Sequence, residues 1–373
     1  MYINIENLPK WVINMKKILW TIFIILGVVL LAAVIYILYL FNAFNSGVSD
    51  SYEEIDRERS ELRVDDVDAS NDNFTVLILG IDADAERTQD GEINADHFRS
   101  DTMILATFDR DNDDVKMVSV PRDTLAYIES VNYFDKINHA HAFNGPVGAM
   151  NAVESLLNVP VDHFVRVDMN AVVEIVDAIG GVDFEVPYEM NGLQPGVQHL
   201  SGEQALAVIR NRSVDSDLGR GVRQMDLIEA VFKQAQSFST LSQVDDLISI
   251  FTSNTSHNFA TGDIRSLASY YLFNDVAFES SQLQGTGFTA QSNGIYYAWP
   301  DEEHIFALSN TIRGILGLDP STANDLISIR LGQQVQPVQE ISQDLLENFT
   351  LDNPPAYTED GASNQYGDGF GVE

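Results

Sequence analysis

The sequence predicts an α/β protein in which a mixed central β-sheet is flanked by helices, preceded by one N-terminal transmembrane helix. Three observations support this class. A long apolar run without charges lies near the N-terminus, short buried-strand patterns alternate with helical patterns after residue 73, and turn residues separate them. The chain has 373 residues, of which 45% are hydrophobic, so it can bury a sizeable core.

The apolar run covers residues 18–41 and is long enough, at about 1.5 Å per helical residue, to cross a hydrocarbon core of about 30 Å. Lysines precede it and carboxylates follow it, which predicts a cytoplasmic segment at 1–17 and an extracytoplasmic chain after the helix. A cleaved signal peptide is the alternative, but its apolar region would be only about 7–15 residues long. We therefore expect a single-pass protein of the cell membrane.

Residues 42–72 are polar and charged and are predicted to form a stalk, and residues 73–318 carry the pattern of a folded domain. The Asp109–Asp114 turn predicts a hairpin, Gly180 and Gly181 end one helix, and Ser201 is a good N-cap for another. The predicted strands are Phe74–Gly80, Thr102–Phe108, Val115–Val120, His163–Val167 and Val182–Val186. The predicted helices are Pro146–Leu157, Ala171–Ile179, Ser201–Arg210 and Arg220–Phe238, with weaker patterns at 240–253, 263–272 and 302–315.

Two segments follow the domain. Residues 319–352 form a C-terminal extension, and residues 353–373, rich in Gly, Asp and Ser, are predicted to be a disordered acidic tail. The sequence shows no internal repeat.

The charge balance excludes one class of function. With 56 acidic and 21 basic residues, the formal net charge is -35, and such a surface repels nucleic acid. The chain has no cysteine, so disulfides, thiol catalysis and cysteine-ligated zinc are excluded. A nucleophile elbow, a P-loop and a His-Glu-x-x-His stretch are also missing from the sequence.

A third of the 21 basic residues lie in short motifs at predicted strand and helix ends. Guanidinium groups are always charged and bind phosphate through two parallel hydrogen bonds, so a group of them is typical of a phosphate site. The alternative is that each one pairs with one of the many surface acids. Seven cations lie in five such motifs, which are Arg99, Arg122, Lys136, Arg210 with Arg212, and Arg220 with Arg223.

Two carboxylates lie beside these cations along the chain. Asp82 follows the first predicted strand and Asp101 lies just before the second, so they are candidates to hold a hard cation such as Mg²⁺ that bridges substrate phosphates. This signal is weak in so acidic a chain. His139 and His141 are interpreted as structural or solvent-facing residues rather than metal ligands.

The ordered set of motifs resembles the LytR–CpsA–Psr family of bacterial cell-envelope phosphotransferases. The resemblance is strong over residues 74–240 and looser to about residue 318. The matching pieces are Leu79-Gly-Ile-Asp82, Arg99-Ser-Asp-Thr-Met103, Ser119-Val-Pro-Arg-Asp-Thr124, Lys136-Ile-Asn138, Ile175-Val-Asp-Ala-Ile-Gly-Gly-Val182, Leu200-Ser-Gly-Glu-Gln-Ala-Leu206, Arg210-Asn-Arg212, and Asp217-Leu-Gly-Arg220 through Arg223-Gln224. His139-Ala-His141 departs mildly from the family pattern.

The resemblance implies a function. Family members transfer an anionic glycopolymer with its phosphate, such as a wall teichoic acid or a capsule, from a polyprenyl pyrophosphate lipid to peptidoglycan, using Mg²⁺ or Mn²⁺. The resemblance also implies the fold of the LytR–CpsA–Psr (LCP) family, with an apolar groove for the lipid. Segments 147–179 and 227–238 are candidates to line this groove, although an ordinary role in the core suits them equally. A non-catalytic binder or regulator of lipid-linked pyrophosphate, or a lipid pyrophosphatase, would use the same arginines.

The resemblance also implies roles for particular residues. Asp82 and Asp101 would bind the metal, and one of them would deprotonate the acceptor hydroxyl before in-line attack expels the lipid phosphate. Catalysis would use these two aspartates with Arg99, Arg122 and Arg210. Substrate binding would involve Arg99, Arg122, Lys136, Arg210, Arg212, Arg220, Arg223 and Gln224.

Overall fold

The structure is a computed structural model that describes residues 51–81, 99–131, 133–169, 171–211, 217–236, 254–290 and 294–322, together with Tyr39, residues 46–49 and Asp325. Within these ranges, no helix is both long and apolar enough to cross a membrane. The predicted transmembrane segment lies outside them except for Tyr39, as do the weak helix at 240–253 and the predicted acidic tail.

The described chain folds into twelve strands and six α-helices. The strands are β1 (Phe74–Ile81), β2 (Ser100–Asp109), β3 (Asp114–Ser119), β4 (Leu125–Ile128), β5 (Tyr133–Lys136), β6 (His163–Asp168), β7 (Val182–Val186), β8 (Gly196–Leu200), β9 (Thr255–His257), β10 (Ala277–Gln282), β11 (Gly285–Thr289) and β12 (Tyr296–Pro300). The helices are α1 (His139–Leu157), α2 (Ala171–Ala178), α3 (Gly202–Arg210), α4 (Asp217–Gln236), α5 (Thr261–Phe273) and α6 (Glu302–Ile315).

Six strands form a mixed sheet in the order β10-β3-β2-β1-β6-β9. β1 is antiparallel to β2 and parallel to β6, while β3 is antiparallel to β2 and parallel to β10. As a result, β1, β3, β6 and β10 all end at the edge where β2 begins. Three two-stranded hairpins, β4–β5, β7–β8 and β11–β12, lie outside this sheet.

Helices cover both faces of the sheet, so the predicted fold class, a mixed sheet flanked by helices, is confirmed. Alternate residues of β2 point to opposite faces. Met103 and Leu105 join a core with α1 and α6, whereas Ile104 and Ala106 join a core with α4 and α5. The five predicted strands and the helices at 171–179, 201–210, 220–238, 263–272 and 302–315 are all present, with small shifts of their ends.

The helix predicted to begin at Pro146 is confirmed as the second of two helical segments within α1. The segments are separated at Asn144 and Gly145, which have non-helical dihedral angles. Proline suits the first turn of the second segment, because a backbone N–H there would have no helical acceptor. Met150 and Val153 on this helix are fully buried in the main core, so this part of the 147–179 segment has an ordinary core role.

The segment predicted as a stalk is attached to the domain over residues 51–72. Arg57 binds Glu154 at 2.5 Å and Arg166 binds Glu53 at 2.7 Å. Arg63 binds Asp162 through two hydrogen bonds, of 2.9 and 2.6 Å, and both side chains are almost completely buried. These arginines pair with acids, which is the structural role that the sequence analysis left open as an alternative to phosphate binding.

The buried His257 extends this attachment, and His163 lies in a neighbouring aromatic cluster. The His257 ring bonds Ser51 Oγ at 3.1 Å, and the His163 ring stacks on Phe259 at 4.1 Å between centroids. Burial lowers the pKa of both imidazoles below the ordinary value, and the nearby carboxylates of Asp162 and Asp263 counteract this only partly at His163. Both rings are therefore neutral at neutral pH, as their apolar packing requires.

We predict that Arg63→Ala lowers the free energy of unfolding by about 3 kcal/mol, because it leaves the buried Asp162 carboxylate without its bidentate partner. Arg59→Ala is the matched control. Its ion pair with Asp66 is exposed, with 49% and 91% side-chain exposure, so its loss should cost less than about 1 kcal/mol. Urea denaturation of both variants measures the difference, and equal losses would contradict this account of the attachment.

Candidate active site at one edge of the central sheet

The candidate site lies at the edge where β1, β3, β6 and β10 end and β2 begins. In the sheet, Ile81 pairs with Ser100 on one side and with Asp168 on the other. Gly80 permits close approach here, since a Cβ on it would lie 2.8 Å from Thr102 Cβ. Arg99 and Asp101 therefore flank the point at which the chain leaves β1, and Arg99 lies at a strand end as predicted.

Asp101 is contacted by two of the predicted arginines. Arg122 Nη1 donates to its Oδ1 at 2.8 Å, and Arg220 Nη2 donates to its backbone carbonyl at 3.3 Å. The Arg122 and Asp101 side chains are 27% and 33% exposed, whereas Arg220 is buried. The motifs around residues 99, 122 and 220, which are far apart in sequence, therefore meet at one place.

Main-chain hydrogen bonds hold Arg122 at this edge. After β3, Val120 N donates to Met103 O at 2.8 Å, and a turn then closes with Thr124 N donating to Pro121 O at 3.0 Å. Asn138 N donates to the Arg122 carbonyl at 3.3 Å. Because β4 pairs with β5, Lys136 lies opposite Leu125 and is also brought to the edge.

Lys136 completes a chain of alternating charges. Its Nζ binds Asp123 Oδ1 at 2.7 Å, and Asp123 Oδ2 lies 3.8 Å from Arg122 Nε. The order along the edge is thus Lys136, Asp123, Arg122 and Asp101. Sequence reasoning gave no role to Asp123. The available signal was its place in the Pro-Arg-Asp-Thr motif, but neighbouring residues in an extended chain usually point apart.

Helix α4 connects this edge to the end of α3. Arg220 and Gln224 lie on one face of α4 at i and i+4, and both are buried. Gly221 lets the helix pack closely, because a Cβ there would lie 2.4 Å from Ser119 Oγ.

Arg223, on the adjacent turn, is almost completely buried. Its Nε, Nη1 and Nη2 donate to Val208 O at 3.0 Å, Tyr188 Oη at 2.8 Å and Asn211 O at 2.6 Å. These contacts fix the C-terminal end of α3, where Arg210 is exposed. They indicate that Arg223 positions the segment that carries Arg210, whereas substrate binding by Arg223 itself stays a prediction.

Four further residues that the sequence singled out are Asp82, Arg212, His139 and His141. Asp82 and Arg212 lie outside the described residues. His139 and His141 are buried, and His139 Nδ1 is 2.9 Å from Asp135 Oδ2, which fits the structural role expected for them. Asp135 also accepts a hydrogen bond from Lys136 N at 2.7 Å, so the buried pair of His139 and Asp135 is connected to the backbone of Lys136.

The family model for the LytR_cpsA_psr family matches residues 37–314 of the chain. The chain belongs to this family. An uncharacterised protein of Staphylococcus aureus is 40% identical over 330 residues, which are 85% of this chain and 81% of that protein. A Halalkalibacterium halodurans protein named polyisoprenyl-teichoic acid–peptidoglycan teichoic acid transferase TagU is 34% identical, over 82% of this chain and 100% of its own length.

Solved structures agree with this membership. The structure of TagT bound to LIIa-WTA has a TM-score of 0.59 and 30% identity, and it covers 70% of this chain and 97% of its own. The family protein YwtF (TagT) with bound octaprenyl pyrophosphate lipid has a TM-score of 0.55 and 28% identity, covering 70% and 98%.

We predict that Arg223→Ala lowers the free energy of unfolding by about 3 kcal/mol, because three buried acceptors lose a charged donor. Arg122→Ala should lower it by less than about 1 kcal/mol, since that ion pair is partly exposed. Thermal denaturation of the two variants measures this contrast. A strongly destabilised Arg122→Ala protein would show that Arg122 serves the fold rather than the site.

Proposed function

We propose that this protein transfers an anionic glycopolymer, a teichoic acid or a related polymer, from a polyprenyl pyrophosphate carrier to peptidoglycan. The observation that carries the proposal is the convergence of Arg122, Lys136 and Arg220 at one sheet edge in a chain with a net charge of -35. Cations held together against such a background are suited to a polyanionic ligand. The names of the relatives and the bound lipids of the similar structures support the choice of substrate.

The geometry suits transfer of a phosphoryl group. Such a reaction needs fixed positive charge around the phosphate oxygens and little covalent chemistry from the protein. Arg122 contacts the carboxylate of Asp101 and Arg220 contacts its backbone carbonyl, so a pyrophosphate at this edge would be bound by both. In-line attack by an acceptor hydroxyl then forms the new phosphate ester and releases the lipid phosphate, with a carboxylate, Asp101 or Asp82, taking the hydroxyl proton.

The lipid chain of the carrier would lie along the second apolar core. This core joins α2, α3 and α4 to the β7–β8 hairpin, and it is bordered by partly buried apolar side chains. Leu206 is one of these and lies one turn before Arg210 on α3, so the apolar surface leads directly to an exposed guanidinium. The bordering residues are Val172, Tyr188, Leu206, Ala230 and Val231.

Mg²⁺ or Mn²⁺ is part of the proposal. Within the described residues there is no group of three or more potential metal ligands. A magnesium ion bound by one or two carboxylates and by substrate phosphates does not require such a group, so Asp101 at the sheet edge fits, with Asp82 as its partner. When bound, the ion would neutralise charge on the pyrophosphate.

The proposed function also requires that the domain lies outside the cell membrane. The N-terminal segment at 18–41 would anchor the protein in the cell membrane, with the domain outside, where lipid carrier and peptidoglycan meet. The chain would have no nucleic acid partner, in keeping with its charge.

The full-length protein in detergent, supplied with a polyprenyl pyrophosphate-linked sugar polymer, Mg²⁺ and a peptidoglycan oligomer, should yield polymer-linked oligomer. Arg122→Ala should reduce this product at least 100-fold, an estimate of order of magnitude for one lost charge-stabilising group, about 10²–10³. Arg110→Ala, whose guanidinium packs on Tyr270 at the other edge of the sheet, should keep wild-type activity. Release of free sugar phosphate would instead indicate a pyrophosphatase, and retention of intact lipid would indicate a non-catalytic binder.

Removing divalent metal tests the metal separately. We predict that EDTA stops transfer and that added Mg²⁺ or Mn²⁺ restores it, because the pyrophosphate then lacks its main neutralising charge. Transfer assays with and without EDTA, with thermal melting of the same samples, provide the measurement. Full activity in EDTA would contradict the metal requirement without touching the assignment of the arginines.

A further inference from the structure

Asp123 lies between two cations of the site and has no role in the function proposed above. Lys136 Nζ donates to its Oδ1 at 2.7 Å, and Arg122 Nε lies 3.8 Å from its Oδ2. The Asp123 side chain is only 17% exposed, so these interactions are partly shielded from water. A carboxylate here orients the cations and separates their charges.

The backbone at Asp123 is held independently of its side chain. Thr124 N donates to Pro121 O at 3.0 Å within the turn, and Ala298 N, from the β11–β12 hairpin, donates to the Asp123 carbonyl at 2.8 Å. Ile137 N donates to Thr124 O at 2.8 Å on the other side. The turn should therefore fold without the carboxylate, which makes a role in the fold alone a poor explanation for it.

Lys136 depends more than the arginines do on a partner that fixes the position of its charged group. Its backbone is fixed by pairing with Leu125, and its Nζ lies 5.9 Å from the centre of the Tyr297 ring. However, a lysine side chain is flexible and carries a point charge, so a fixed backbone does not place its ammonium group. The short contact with Asp123 supplies that placement.

We propose that Asp123 is a positioning residue that holds the Lys136 ammonium, beside the Arg122 guanidinium, where it meets the charge developing on the transferred phosphate. This inference rests on the proposed function and deepens it. Removal of the carboxylate also removes one negative charge from the site, so an anionic substrate should bind at least as well while its turnover falls. Loss of fold would instead lower activity and stability together.

The test uses the full-length protein in the transfer assay. Asp123→Asn should lower kcat about 10- to 100-fold, the range expected when a catalytic group is slightly misplaced. KM for the lipid-linked substrate should stay unchanged or fall, and the melting temperature should stay that of the wild type. Asp123→Glu keeps the carboxylate and should recover part of the loss. Glu279→Gln removes the carboxylate of the Lys116–Glu279 ion pair, which joins β3 and β10, and should behave as wild type.

A double substitution tests whether Asp123 acts through Lys136. Lys136→Gln should lower kcat by itself, and adding Asp123→Asn should lower it further by less than about threefold, because coupled residues are not additive. A kcat loss in the double variant equal to the product of the two single losses would overturn the proposal. A wild-type kcat or a raised KM in Asp123→Asn would also overturn it. If the wild-type protein forms no polymer-linked product, the proposed function fails. An active wild type with an unaffected Asp123→Asn variant rejects only the role of Asp123.

Discussion

The register between β1 and β2 fixes where the charged groups of the site can lie. Ile81 pairs with Ser100, so the end of one strand and the start of the next meet at the same edge. Arg99 and Asp101 sit on either side of Ser100, and the turn that follows β3 brings Arg122 to the same place. Because strand side chains alternate between faces, a shift of one residue would move the apolar residues of β2 to the wrong cores and separate Asp101 from its arginine.

Two groups of the described arginines differ in their surroundings. Arg57, Arg63 and Arg166 pair with carboxylates and hold the segment before β1 against the domain. Arg122 and Arg220 meet at Asp101, next to Arg99, and form part of a connected set of charges at the sheet edge. Connectivity, rather than residue type or burial, therefore separates the structural cations from those of the site.

Helix α4 links the two halves of the proposed substrate site. Its first turn donates to Asp101 through Arg220, and its next turn holds the end of α3 through Arg223. Close packing at Gly221 sets the distance between the helix and the sheet edge. The proposed pyrophosphate region and the apolar side chains beside Leu206 are therefore connected through one helix, an arrangement that suits a ligand with a charged head and a long apolar chain.

The sequence alone determined the fold class, most helices, five strands and the family. These follow from local periodicity, from caps such as Ser201 with Gln204, and from ordered motifs, all of which depend on neighbours in the chain. It did not predict β4, β5 or the strands from β8 to β12, which are short or polar. Of these, β9 and β10 form by pairing with the distant strands β6 and β3, and the others pair within hairpins. Tertiary structure also decided that residues 51–72 attach to the domain, that Arg223 is buried, and that Asp123 lies between Lys136 and Arg122. Those outcomes depend on contacts between segments far apart in the chain, and a sequence pattern carries no distances between such segments.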